Sequence, residues 1–333
     1  GDIVMQQTKR SRHQHMTSFQ VISLGFLSVI LLGSLLLMLP IATKSGQCTS
    51  FLDALFTATS AVCVTGLVVN DTATYWSLFG QGVILLLIQI GGMGIITIAI
   101  AISVVSGRKI GLMQRSTMQE AISAPTVGGI VRRTQFIIRT TILIEIIGAV
   151  LLAPVFCRDF GFWKGIWYSL FHSISAFCNA GFDLIGIRTP FSSLTSYSVQ
   201  PIVNLVIMML IIAGGIGFLT WEDIKNRKWH FKKYRMQSKV IFMVTGILIF
   251  LPALYFFCFE FSNVPLTERV WVSLFQSVTP RTAGFNTADL TLLSEVGQML
   301  IIVLMLIGGS PGSTAGGMKT TTLAVLVLSL IHI

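Results

Sequence analysis

The sequence predicts an all-α integral membrane protein built from repeated units of outer helix, re-entrant loop and inner helix. Three observations carry that prediction. Hydrophobic residues make up 53% of the 333 residues and charged residues only 11%, where a soluble domain carries about 25% charged residues. Six long apolar runs recur to the end of the chain, so a leader followed by a soluble domain is excluded. A short frame of small, polar and glycine residues is written three times between those runs.

The runs cover residues 19–39, 78–105, 136–156, 199–219, 240–259 and 296–330. Each is near or above the roughly 20 residues a spanning helix needs. Fifteen of the 23 Lys and Arg fall before the first run, between the second and third, or between the fourth and fifth. These include Lys9, Arg10 and Arg12, then Arg108, Lys109, Arg115, Arg132 and Arg133, then the cluster from Lys225 to Lys239. The positive-inside rule places the N-terminus and both basic loops in the cytoplasm. The net charge of +10 is thereby read as a topology signal, and nucleic acid is not expected as a partner. The five cysteines show no metal-ligand spacing and read as small apolar residues.

Between each odd and even run lies a segment too short to cross. Phe56 leads through Thr59 and Ser60 to Gly66, Phe171 through Ser173 and Ser175 to Gly181, and Phe275 through Ser277 and Thr279 to Gly284. Residues 51–62, 164–177 and 267–278 read as short helices that end near these glycines. Such helices aim the negative end of their dipoles inward, which favours a cation. The stretches that follow are Val64, Thr65 and Gly66; Asn179, Ala180 and Gly181; and Thr282, Ala283 and Gly284. Glycine takes the unusual dihedrals that let successive carbonyls point one way, and rings of carbonyls replace the hydration shell of potassium. Irregular backbone inside a bilayer survives only where it is buried or lines a watery cavity, so the frame reads as a pore. Asp71, Asp183 and Asp289 follow the three glycines and are candidates for an outer mouth that attracts cations.

All three inner runs carry a glycine pair, Gly91-Gly92, Gly214-Gly215 and Gly308-Gly309. The first two pairs read as close-packing positions. The third opens into Ser310, Pro311, Gly312, Ser313, Thr314, Ala315, Gly316 and Gly317, a composition that cannot hold a helix. This stretch, with Gly308 and Gly309, is the candidate gate loop below the filter.

These motifs together resemble the Trk/Ktr/HKT superfamily of potassium transporters, and within it the KtrB-type membrane subunits. The resemblance rests on Thr65-Gly66-Leu67, Asn179-Ala180-Gly181-Phe182, the run from Arg281 to Asn286, and the run from Gly308 to Thr322. It implies K+ uptake across the bacterial plasma membrane, with K+ held only at the filter carbonyls. It implies no covalent cofactor, and in some Ktr systems Na+ as an activator. It also implies a homodimer in the lipid bilayer on a cytoplasmic ring of RCK-type, KtrA-like regulatory subunits, where ATP or ADP binds the partner rather than this chain. The family has four repeats. This chain reads as three, over residues 1–107, 134–222 and 239–333, joined by linkers at 108–133 and 223–238. A fourth is absent from it, and a truncated, non-conducting fragment is the alternative reading.

Other polar residues inside the runs have candidate roles. Glu145 reads as a buried hydrogen bond or a protonated acid, and Gln89 and Asn204 as bridges between helices. Arg281 reads as bracing its loop, with Asp289 as an example of a partner, and Lys319 as either near the inner mouth or snorkelling. A membrane-embedded enzyme is not expected. His172 has no nucleophile in a recognised motif beside it, and no zinc-binding helix is visible.

Overall fold

The computed structural model describes residues 17–94, 97–98, 119, 129–228 and 230–332. The basic N-terminus, the end of the second apolar run and most of the linker at 108–133 lie outside the described residues. Eleven α-helices form among the described residues, with no strand beyond two isolated bridges. The first unit contains α1 (Ser18–Met38), α2 (Phe51–Val62) and α3 (Leu78–Met93). The second contains α4 (Ile130–Phe160), α5 (Phe162–Phe177), α6 (Pro201–Gly215) and α7 (Phe218–Arg227). The third contains α8 (Met236–Tyr255), α9 (Leu266–Val278), α10 (Glu295–Leu306) and α11 (Thr320–His332).

Local chemistry sets many of these boundaries. Ser50, Ser77 and Ser294 each accept the N–H three residues on, capping α2, α3 and α10. Thr17 and Gln20 form a reciprocal box at the start of α1. α2 has the bounds read from sequence, while α5 and α9 begin at Phe162 and Leu266, one or two residues early.

Among the described residues, three helices are long and apolar enough to cross a membrane: Phe19–Met38, Val131–Phe160 and Met236–Glu260, the last continuing α8 through a π turn. The fourth run is not one straight helix. α6 and α7 meet at a 98° bend, where Gly217 takes φ +87° and ends the span. Gly94 ends α3 in the same way at φ +81°. The glycines following the first two pairs are therefore helix stops; Gly217 is also closely packed, a Cβ there lying 2.7 Å from the Pro311 carbonyl, whereas one at Gly94 would meet only Thr97 Oγ1 at 4.0 Å.

Each outer helix packs on the short helix of its own unit, α1 on α2, α4 on α5 and α8 on α9. Each inner helix then packs on the short helix of the next unit, α3 on α5 and α6 on α9. This alternation sets the three units side by side in sequence order. One apolar core runs through all three units, with Phe171, Phe177 and Phe285 fully buried in it.

Candidate functional site

The three expected filter stretches share one backbone signature. Val64, Asn179 and Thr282 have φ of 57°, 57° and 73°, and Gly66, Gly181 and Gly284, two residues on, have 74°, 72° and 80°. A residue with ordinary φ sits between each pair. Left-handed backbone at alternate positions turns consecutive carbonyls of an extended stretch toward one side, where those of a regular strand alternate.

The stretches also lie against one another. A Cβ at Gly66 would sit 2.5 Å from the carbonyl oxygen of Ala180, and one at Gly181 would sit 2.5 Å from that of Ala283. The first glycine thus packs on the second stretch and the second on the third. Gly181 is buried, whereas Gly66 is half-buried and Gly284 exposed. The three form an arc whose open side lies between the third stretch and the first.

Hydrogen bonds tie each stretch to the helix that precedes it. Thr65 N–H donates to Ser60 O at 2.9 Å, Ala180 N–H to Ser175 O at 2.8 Å, and Ala283 N–H to Thr279 O at 3.0 Å. The hydroxyls of Ser175 and Thr279 donate to the carbonyls of Phe182 and Phe285, just past the glycines, at 2.7 and 2.6 Å. Buried His172 holds the second loop from behind: Leu184 N–H donates to its Nε2 at 3.3 Å and its Nδ1 meets Tyr168 O at 2.7 Å. The sequence reading missed these braces. Ser60 and Ser175 both stand six residues before their glycine, a spacing that could have marked them.

Residues 307–319 between α10 and α11 are non-helical, as the glycine content predicts. The limbs of this loop are zipped together, Gly308 N–H to Met318 O at 3.0 Å and Gly309 N–H to Gly316 O at 3.2 Å. Its tip is pinned to the second unit. Ser310 and Thr314 N–H donate to Gly215 and Gly214 O at 2.9 and 3.2 Å, and Phe218 N–H donates to Gly312 O at 2.8 Å. Asn179 Nδ2 donates to Thr314 Oγ1 at 2.9 Å, and that hydroxyl donates to Phe177 O at 2.9 Å. The candidate gate loop is thus bonded directly to the second candidate filter stretch. Ala315, Ser313, Gly316 and Gly317 complete the loop beyond Pro311, and Lys319 Nζ donates to Ala315 O at 2.9 Å, so its charge closes the loop.

The acids have unequal settings. Asp71 is buried: its Oδ1 accepts Thr74 N–H and Oγ1, and its Oδ2 accepts Phe191 N–H at 3.0 Å, tying the first unit to the second. Asp183 is half-buried and accepts Ile185 N–H at 3.0 Å. Burial, reinforced by nearby Asp71, pushes its carboxyl up to about 6 against the hydrogen bond from Ile185. Asp289 is exposed and accepts the Thr291 hydroxyl and N–H, which hold it below the usual carboxylate range.

Arg281 does not use Asp289. Its buried guanidinium reaches the Gly308 carbonyl at 3.5 Å, so it faces the gate loop. Gln89 bridges helices as expected, donating to Glu145 Oε2 at 3.1 Å. Asn204 instead caps the turn before its own helix, bonding Tyr197, Ser198 and Gln200 carbonyls.

The chain is similar to known proteins in sequence and in fold. The sequence profile of a family described as cation transport protein, TrkH, matches residues 3–333. The chain is 42% identical to the potassium/sodium uptake protein NtpJ of Enterococcus hirae, covering 97% of this chain and 71% of that protein. It is also 42% identical to the Ktr system potassium uptake protein B of Bacillus subtilis, over 99% of this chain and 74% of the relative. The crystal structure of the potassium transporter TrkH from Vibrio parahaemolyticus superposes with a TM-score of 0.67 at 22% identity, over 97% of this chain and 64% of that one. That likeness establishes the fold. The chain belongs to the Trk/Ktr family of cation transport proteins, as a KtrB-type member.

Proposed function

We propose that the chain forms most of a K+ uptake pathway, in which the carbonyls of the Val64–Gly66, Asn179–Gly181 and Thr282–Gly284 stretches replace the ion's hydration shell. The observation that carries this is the triplicate alternation of left-handed and ordinary backbone in stretches that touch one another. The names of the two 42% identical relatives support potassium as cargo. One of those names also includes sodium, which leaves Na+ as an activator or second cargo within the proposal. A closed ring needs a fourth segment on the open side of the arc, between Gly284 and Gly66.

The loop at 307–319 is the proposed gate. It is bonded beneath the second stretch and must break named hydrogen bonds to move. Its control is proposed to come from a cytoplasmic, nucleotide-binding ring on a homodimer, consistent with the Ktr-system naming of a relative. The basic ends of α4 and α8 then face the cytoplasm of a bacterial plasma membrane.

The test is Rb+ and Na+ uptake by the full-length protein in bacteria that lack their own potassium transporters. Gly181→Ser places a Cβ against the Ala283 carbonyl at a positive φ, and discrimination for Rb+ over Na+ should fall at least tenfold. Unchanged discrimination with normal expression would sink the filter assignment.

A further inference from the structure

We propose that an anionic phospholipid binds where α4 meets α7, its headgroup held by Arg132, Arg139 and Lys225 and an acyl chain laid between α4 and α6. A pocket of about 610 Å³ lies there, lined by Arg132, Phe136, Arg139 and Leu143 of α4 and by Trp221 and Lys225 of α7. The α4 positions are spaced four, three and four residues apart and so share one face. No carboxylate among the described residues lines the pocket. The three cations are exposed and make no ion pair among the described residues. The nearby acids are already taken, Glu222 by Arg133 and Arg235, and Asp223 by Arg227 and Arg235. Lys225 is steered into the pocket by the Phe136 ring, 4.7 Å from its Nζ. Three convergent, uncompensated positive charges call for an anion.

A second observation selects a lipid. The same face of α4 continues into an apolar groove of about 350 Å³ walled by Ile147 and Leu151 of α4 and Leu205 and Met209 of α6. Trp221 lines both cavities, and its indole N–H donates to Ala213 O at 2.9 Å, which fixes the ring at the junction. Nineteen residues separate Arg132 from Leu151, about 29 Å of helix at 1.5 Å per residue. That length takes a headgroup and the roughly 15 Å of one leaflet's hydrocarbon. The basic end sits on the side that the charge pattern assigns to the cytoplasm, where anionic lipids are attracted by clustered Lys and Arg. A soluble protein docking on the basic pocket would leave the groove beyond it uncovered, so the pair of cavities favours one amphipathic occupant.

The test uses the full-length protein in detergent. It is titrated with phosphatidylglycerol carrying brominated acyl chains and with phosphatidylcholine carrying the same chains. Retained lipid is counted by native mass spectrometry, and tryptophan quenching is read in parallel. Phosphatidylglycerol should be retained preferentially, with a quenching component that disappears in Trp221→Phe. The triple change Arg132→Gln, Arg139→Gln and Lys225→Gln should weaken retention on the order of 100-fold, roughly fivefold per cation. Arg139→Lys should keep most of it. The changed residues are exposed, and an unaltered unfolding midpoint without added lipid checks that the fold survives. Equal retention of the two lipids, or unchanged affinity in the triple variant, overturns the proposal. Full displacement by inorganic phosphate would identify a free-anion site and overturn it too. So would a triple variant that keeps the lipid but loses a cytoplasmic protein partner.

Discussion

At the scale of single residues, the informative feature is backbone strain in a matched position. Val64 and Thr282 are β-branched, and left-handed backbone costs such residues roughly 1–3 kcal/mol. A chain seeking only stability would place glycine there. Keeping a strained side chain two residues before Gly66 and Gly284, and Asn179 before Gly181, narrows the backbone to one conformation, which a pair of glycines would not. Asp183 shows the same conflict between stability and charge. Its folded carboxyl titrates near 6 rather than at 3.8, so over roughly pH 4 to 6 the folded chain holds a proton that the unfolded chain has released. The group's contribution to stability is therefore full below about pH 4 and falls as pH rises through about 6. Asp183→Asn should stabilise the protein on the order of 1 kcal/mol at pH 7. The gain should vanish at pH 4, and it is measured as the unfolding midpoint in detergent at both values. A gain that is the same at both pH values would mean that the carboxylate is not desolvated in the fold.

At the scale of elements, the proposed gate loop and the second proposed filter stretch are hydrogen-bonded into one unit. Thr314 joins Asn179 to the last carbonyl of α5 through a single hydroxyl. Thr314→Val keeps the volume and removes both bonds. Each bond contributes about 1 kcal/mol, so losing both should shift the balance toward the open loop by up to about thirtyfold. Rb+ flux should rise severalfold while discrimination against Na+ falls, because Asn179 loses the partner of its side chain. Thr314→Ser should restore both. A Val variant with parental flux would uncouple the loop from the filter. Much of this site was legible in the sequence. The triplicate frame located the short helices, α2 over the same residues that the structure shows, and the composition from Gly308 to Gly317 marked the loop, because glycine, proline and hydroxyl residues act locally. What was not legible depends on distant partners. Nothing near Thr314 signals Asn179, 135 residues earlier. The bend after α6 was hidden because nothing in the local sequence marks Gly217 for a positive φ, and what crowds it comes from the distant loop: a Cβ there would lie 2.7 Å from the Pro311 carbonyl.

At the scale of the whole molecule, the arc of units is held at its two ends by different chemistry. At one end, Asp71 joins the first unit to the second through the Phe191 amide. At the other, Asp223 at the end of the bent α7 reaches the start of α8. It accepts Ser238 Oγ at 2.7 Å and Arg235 N–H at 3.2 Å, and it faces the Arg235 guanidinium at 3.4 Å. Glu222 beside it pairs with Arg235 at 2.9 Å and with Arg133 of α4 at 3.5 Å. One arginine at the head of the third unit is thereby linked to both ends of the second. Asp223 is 1% exposed, so its removal leaves a buried hydroxyl and a backbone N–H without partners. The arginines are about one-third exposed and regain water, which limits the loss of the ion pairs themselves. Asp223→Ala should therefore destabilise the protein by about 2–3 kcal/mol. Asp223→Asn keeps an acceptor for the two hydrogen bonds and should lose about half as much. Thermal unfolding in detergent measures both, and the ordering matters more than the size. If Asn is as damaging as Ala, the charge and not the hydrogen bonding holds the second unit to the third. If neither shifts the midpoint, packing of α6 against α9 alone sets the angle between the units.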